Sequence, residues 1–289
     1  MPEPLSGVCL DSHGDSATIA HDSPLTLPEL CAKIHAKVDA FLKRETKIER
    51  LRSVQRQSKL SLNILEESLE RYSLDELSLS YNGGKDCLVL LILYLAALHV
   101  HFSKTPNNQM NGAGASENHH SPQRPPRALQ TVYIVSPHPF QQVDKFVNDS
   151  ARTYHLDLVH YAKPMKEAFA DYLHDHPNIK AIFVGTRRTD PHGASLKYFD
   201  PTDHGWPNFM RIHPVIDWHY AEIWTFIREL EIPYCSLYDL GYTSLGGTTD
   251  THPNPVLRVK GDEGENGEQR FRPAYELMAD DEERLGRDG

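Results

Sequence analysis

The amino-acid sequence predicts an open, mostly parallel α/β sheet with helices on both faces. Three observations predict it. From Leu77 onward, short apolar segments alternate with amphipathic ones. The stretch "SYNGGKDC" (80–87) ends one apolar segment and opens another. The segment that follows, Leu88 to Leu98, is apolar on nearly every side. Strand–helix alternation argues for parallel strands joined by helical crossovers. A helix without a polar face belongs buried against the sheet.

The elements follow in order. Residues 1–25 are rich in Ser, Asp and His and read as a loose segment. From Leu27 to Tyr72, Leu30, Ile34, Val38, Phe41, Ile48, Leu51, Leu62, Leu65 and Leu69 recur at helical spacing, which predicts two or three helices. The basic stretch from Lys43 to Lys59 reads as a solvated helix face. Strands are predicted at 77–81, 131–135, 156–161, 181–185 and 211–216. Helix-like segments follow "SYNGGKDC" and occupy 140–155, 164–176 and 219–231. Residues 103–127 break the rhythm: thirteen of these 25 residues are Gly, Pro, Asn or Ser, which predicts a disordered insertion. The expected organisation is one α/β domain over 26–259 and an irregular C-terminal segment over 260–289.

Composition narrows the function. The chain has 289 residues, 39% hydrophobic and 24% charged, with a formal net charge of −10. An acidic balance disfavours a general nucleic-acid or membrane binder, while a local arginine cluster can still hold a small anion. The four cysteines are scattered without a CxxC pair, pointing to a reducing compartment. The longest apolar run, of 11 residues, is short for a bilayer, and the first 24 residues carry no Lys or Arg and no apolar core of a signal peptide. The expectation is a cytoplasmic, monomeric protein acting on small molecules, with neither nucleic acid nor membrane as partner.

"SYNGGKDC" has a physical reading. Gly83 and Gly84 let the backbone turn tightly, and a helix opening near Asp86 presents unpaired N–H groups and the positive end of its dipole. At the carboxyl edge of a parallel sheet this combination cradles phosphate. Lys85 adds a positive charge, and Asp86 is a helix cap or a Mg²⁺ ligand. A plain tight turn with an Asp cap is the competing reading. The loop is not a Walker A motif, because Asp follows the lysine.

The loop resembles the SGGKDS loop of the ATP pyrophosphatases, with Asn82 and Cys87 in place of the two serines. In this version it is similar to the eukaryotic, fungal-type FAD synthases (FMN adenylyltransferases) of the PAPS-reductase-like group, whose fold is adenine nucleotide α-hydrolase-like. The likeness continues in order through "SPHPFQQVDKFV" (136–147), "VGTRRTDPHGASLKYFDPTDHGWPNFMRIHPVIDWHYAEIW" (184–224), "YCSLYDLGYTSLGGTTDTHPNPVL" (234–257) and "RPAYELMADDEERLGR" (272–287).

The resemblance implies transfer of AMP from ATP to FMN, giving FAD and pyrophosphate with Mg²⁺. It implies catalytic roles for Asn82, Asp86 and Arg284, with Asp86 as the metal ligand. ATP and its phosphates would be held by Tyr81, Gly83, Gly84, Lys85, Arg187, Arg188 and Arg287. Gly185, Asp190, Asp203 and Trp206 would form the flavin site. On composition alone, the arginines of 284–287 are solvated charges in an acidic tail and Trp206 is ordinary core. His138, His192 and His213 fit no common metal spacing and are assigned to loops and supporting hydrogen bonds. Two other readings stand beside this one. The first is a PAPS-reductase-like or other ATP-pyrophosphatase-fold enzyme, the reductases resembling it in fold but using a C-terminal cysteine. The second is a flavin- or nucleotide-binding module without turnover.

Overall fold

The computed structural model describes residues 25–104, 125–263 and 269–288, without the side chains of 260–263. The loose segment expected over 1–25 and the insertion expected over 103–127 therefore fall almost wholly outside the described residues. The exceptions are residue 25, just before the first helix, residues 103 and 104, which end a helix, and 125–127, which lead into a strand.

Two helices open the fold, α1 (Leu27–Lys43) and α2 (Glu49–Arg71). Then follow β1 (Leu77–Ser80), α3 (Lys85–Lys104), β2 (Leu129–Ile134), α4 (Gln141–Thr153), β3 (Leu156–Tyr161), α5 (Met165–Asp175) and β4 (Ala181–Phe183). β5 (Phe199–Pro201), β6 (Met210–Ile212) and α6 (Tyr220–Glu229) complete the domain, and a hairpin of β7 (Arg258–Glu263) and β8 (Gln269–Phe271) leads into the tail. The sheet order is β3-β2-β1-β4-β6-β5, parallel except for the edge strand β5. β5 has only three residues, too few for alternation to reveal it, and residues 213–216, predicted as strand, turn away after β6.

The two faces of the sheet are covered unequally. Alternation along β1 and β4 sends Leu77, Leu79, Ala181 and Phe183 to the face that α1, α2, α3 and α6 bury. Ile182 points the other way, to Phe169 and Tyr172 of α5 and to Phe209. α3 is long and apolar enough by composition to cross a membrane. Here Leu88 to Leu98 are all buried, enclosed by the sheet, α1, α2 and α6. At roughly 1.5–3 kcal/mol per fully buried large apolar side chain, this helix anchors the core.

α2 carries a polar seam that its pattern does not announce. The Ser61 hydroxyl donates to the Pro214 carbonyl at 2.6 Å and accepts from the Trp218 indole N–H at 2.9 Å, tying α2 to the chain beyond β6. The basic residues beside it pair locally, Arg52 and Arg56 with Glu49, as a solvated face should.

The chain runs outward from β1 through β2 to β3, then returns to β4 on the other side of β1. Adjacent strands whose crossovers diverge leave a crevice at their carboxyl ends, where open α/β sheets bind ligands. The "SYNGGKDC" loop after β1 and the "VGTRRTD" loop after β4 both lie there.

Candidate functional site

Two glycines bring these loops together. Gly83 has φ of +73°, and a Cβ there would stand 2.8 Å from Val147 Cγ2 of α4. Only glycine suits both the backbone and the space. A Cβ at Gly185 would lie 2.7 Å from Cys87 Sγ and 2.8 Å from its backbone nitrogen, so the loop after β4 crosses against the first turn of α3.

Above this crossing lies a cavity of about 740 Å³. At the loop end it is lined by Asn82, Gly84, Lys85 and Asp86, with Arg284 and Arg287 from the tail. Its far end is lined by Asp203, Trp206, Phe209, Arg211 and His213. A second cavity of about 420 Å³ opens over the ends of β2 and β3, among Val135, Pro137 and Val143. The two share Asn82, Ile134, Met165 and Leu245.

The loop end is a network of charges. Lys85, 2% exposed, places its ammonium 3.0 Å from Asp86 and 2.5 Å from Glu283. Arg187 is fully buried beneath the cavity, with its Nε 2.8 Å from Asp86 Oδ1 and a guanidinium nitrogen on Glu283. It also reaches Asp280 at 3.4 Å and Asp190 at 3.6 Å. Asp190 in turn accepts the Arg187 backbone N–H at 2.7 Å.

The titrations follow from these contacts. Burial alone would lower the Lys85 pKa, but Asp86 and Glu283 hold it above its ordinary value. Burial would raise Asp86, yet Arg187 and Lys85 hold it below the ordinary carboxylate range. Asp190 goes the other way: burial and the charge of Asp86 raise it in spite of Arg187.

The loop's own donors are largely engaged. The Gly84 N–H donates to Asn82 Oδ1 at 2.9 Å, and the Lys85 N–H donates to the Tyr238 hydroxyl at 2.9 Å. The first bond orients the Asn82 amide, whose NH₂ has no hydrogen-bond partner among the described residues, on the wall that both cavities share.

The residues singled out from the sequence are thus distributed unevenly. Tyr81 lines the cavity but sends its hydroxyl into the core, donating to Ser150 at 3.0 Å. Gly83 shapes the turn beneath the cavity, whereas Gly185 lines it together with Asp190, Asp203 and Trp206. The side chains of Arg187 and Arg188 do not line it. Arg187 lies below, sealed in the charge network, and Arg188 points outward to Asp217 at 2.6 Å. Arg284 is exposed at the mouth and has no ion pair among the described residues. Arg287 donates to the Leu245 carbonyl at 3.1 Å and to Asp250 at 3.0 Å.

Glu283, Tyr238 and Arg211 gain places at the site that their sequence context does not signal, while His192 and His213, expected in loops and supporting hydrogen bonds, both line the cavity. A glutamate in an acidic tail carries no sign that it will meet Lys85, 198 residues away. Arg211 stands in the three-residue strand β6, a pattern too short to single it out.

No group of three or more His, Cys, Asp or Glu side chains among the described residues is arranged to hold a metal. Asp86 is the carboxylate of the loop that lines the cavity; its Oδ1 already meets the Arg187 Nε at 2.8 Å and its other oxygen the Lys85 ammonium at 3.0 Å, so a cation brought in on a nucleotide would share it with both.

Comparison with known proteins gives a consistent picture. The phosphoadenosine phosphosulfate reductase domain family matches residues 76–177 and 163–253. The "Probable FAD synthase" of Schizosaccharomyces pombe is 39% identical over 239 residues, covering 83% of this chain and 82% of that protein. The flavin adenine dinucleotide synthase of Saccharomyces cerevisiae is 36% identical over 240 residues, covering 80% of this chain and 75% of that protein. The crystal structure of Candida glabrata FMN adenylyltransferase in complex with FAD and inorganic pyrophosphate superposes with a TM-score of 0.80 at 29% identity, covering 91% of this chain and 100% of that one.

Proposed function

The chain belongs to the FAD synthases (FMN adenylyltransferases), and on that premise we propose how its residues carry AMP from ATP to FMN. The observation that carries the reading is the meeting of two cavities at Asn82, over the crevice between β1 and β4. FMN occupies the larger cavity, its ring among Trp206, Phe209 and Met165. The adenine of ATP occupies the smaller, more apolar one, and the triphosphate crosses the "NGGKD" loop.

An oxygen of the FMN phosphate attacks the α-phosphorus of ATP. The bond to the bridging oxygen breaks, and its electron pair leaves with pyrophosphate. Two anions must approach each other, so positioning and positive charge supply the catalysis. The free NH₂ of Asn82 donates to the α-phosphoryl group. Lys85 faces the triphosphate, and Arg284 and Arg287 approach from the tail. Asp86 would hold Mg²⁺ arriving on the nucleotide, and the metal would supply positive charge against that of the phosphates. We also read the protein as a cytoplasmic monomer.

Sulfonucleotide reduction finds no support in the cysteines: Cys235, the last in the chain, is 1% exposed and burial raises its thiol pKa. The purified chain with FMN, ATP and Mg²⁺ should form FAD and pyrophosphate in equal amounts, separated by chromatography. Absence of FAD would refute the reading.

A further inference from the structure

This inference rests on the larger cavity being the flavin site. His213, at the end of β6, lines that cavity yet is only 1% exposed. Neither of its ring nitrogens has an aligned hydrogen-bond partner among the described residues, and the ring makes only a poorly aligned contact with the Val184 backbone. Its backbone is fixed, since its N–H donates to the Tyr198 carbonyl at 2.9 Å. Buried polar side-chain atoms are nearly always satisfied, so an imidazole on a cavity wall with no aligned partner has bonding capacity left for a ligand.

Charge and position narrow the ligand's chemistry. Burial and the neighbouring Arg211 lower the imidazole pKa to about 4, against the opposing effects of Asp200 and the backbone of Val184, so the ring is neutral near pH 7. A neutral imidazole offers one N–H donor and one lone pair. It has little to offer a phosphate, for which Arg284 and Arg287 stand elsewhere on the wall. The smaller cavity, assigned to adenine, does not include it. The pyrimidine edge of an isoalloxazine presents carbonyl acceptors beside an N–H donor, so either tautomer finds a complement there.

We propose that His213 is a flavin-recognition residue that hydrogen-bonds the polar edge of the isoalloxazine ring. A site built to bond such an edge rejects rings that lack it, because its own buried group is then left unpaired. Binding of the correct ring gives the imidazole the aligned partner that the described residues do not supply.

The test compares the full chain with its His213→Leu and His213→Asn variants. Flavin affinity is read from quenching of FMN and riboflavin fluorescence, ATP affinity from calorimetry, and stability from melting without ligand. His213→Leu should lose about tenfold or more in affinity for both flavins, with ATP affinity unchanged. Its melting temperature without added ligand should be equal or higher, because the buried imidazole makes no aligned bond among the described residues. His213→Asn, which keeps a donor and an acceptor, should recover part of the flavin affinity. Unchanged flavin affinity in the Leu variant would overturn the proposal. So would a loss confined to FMN, which would move the contact to the phosphate, or a matching loss for ATP with lowered melting, which would make the role structural. Should the Leu variant not fold, His213→Ala is judged by the same criteria. A wild-type chain that binds no flavin would instead sink the reading on which this inference rests.

Discussion

The two ends of the larger cavity are built differently. At the loop end, Lys85, Asp86, Arg187 and Glu283 are buried and paired with one another. At the far end, Trp206 is 39% exposed, Asp203 meets Arg211 at 3.3 Å near the surface, and His213 has no aligned side-chain partner among the described residues. One end is a closed network of buried ion pairs, and the other combines a surface ion pair with an imidazole that has no aligned partner among the described residues. The same charges that line the loop end therefore also hold the fold, whereas at the far end Trp206 and Asp203 stand exposed.

The largest effect should come from breaking the buried network. Arg187→Met removes one of the two cations that Asp86 and Glu283 share, leaving Lys85 alone between them, and loss of one partner from a buried pair costs about 3–5 kcal/mol. Denaturant unfolding should register that loss, while Trp206→Ala at the other end should leave the midpoint nearly unchanged. Similar losses from both variants would erase the distinction.

Next comes Arg284→Ala, at the mouth of the loop end. We expect FAD formation to fall about a hundredfold, the scale of losing one electrostatic contact to a transition state. Melting should stay where it is, since an exposed arginine contributes little. Truncation after Leu277 should do more, because it also removes Asp280 and Glu283 from beside Arg187. A truncated chain with full activity and stability would defeat the idea that the tail belongs to the site.

Asp190→Asn sharpens the comparison further, with a smaller effect. FMN affinity should drop roughly tenfold for a lost charged acceptor. Stability should respond with a definite sign. The folded-state pKa of Asp190 is raised, so the folded protein binds this proton more tightly than the unfolded chain. Its support for folding is complete below the ordinary carboxylate pKa and is lost as pH rises through the raised value. The Asn variant should accordingly melt slightly higher than wild type near neutral pH, with the advantage shrinking as the pH falls into the ordinary carboxylate range. A constant difference across that range would show that Asp190 is not the titrating group.

The smallest effect should follow replacement of residues 105–124 by a short Gly/Ser link between Lys104 and Pro125. Loop-closure entropy changes slowly with length. Melting and FAD formation should both remain near wild type, and a large loss of either would give the segment a role at one end of the cavity.

Much of this architecture is legible in the chain. Alternating apolar segments announce the parallel sheet, and a helix apolar on all sides, Leu88 to Leu98, has nowhere to go but the interior. The glycines and charges of "SYNGGKDC" mark the strand–helix junction at which the cavities open. These signals are local, because periodicity and turn chemistry act over a few residues. Tertiary structure alone decided which charges face the cavity. Arg187 and Arg188 are adjacent and chemically identical, yet one is sealed beneath the site and the other reaches outward to Asp217. Lys85 meets Glu283 across 198 residues of sequence. A charge in a sequence has no direction until packing supplies its partner, and an ion pair of that span leaves no local pattern to read.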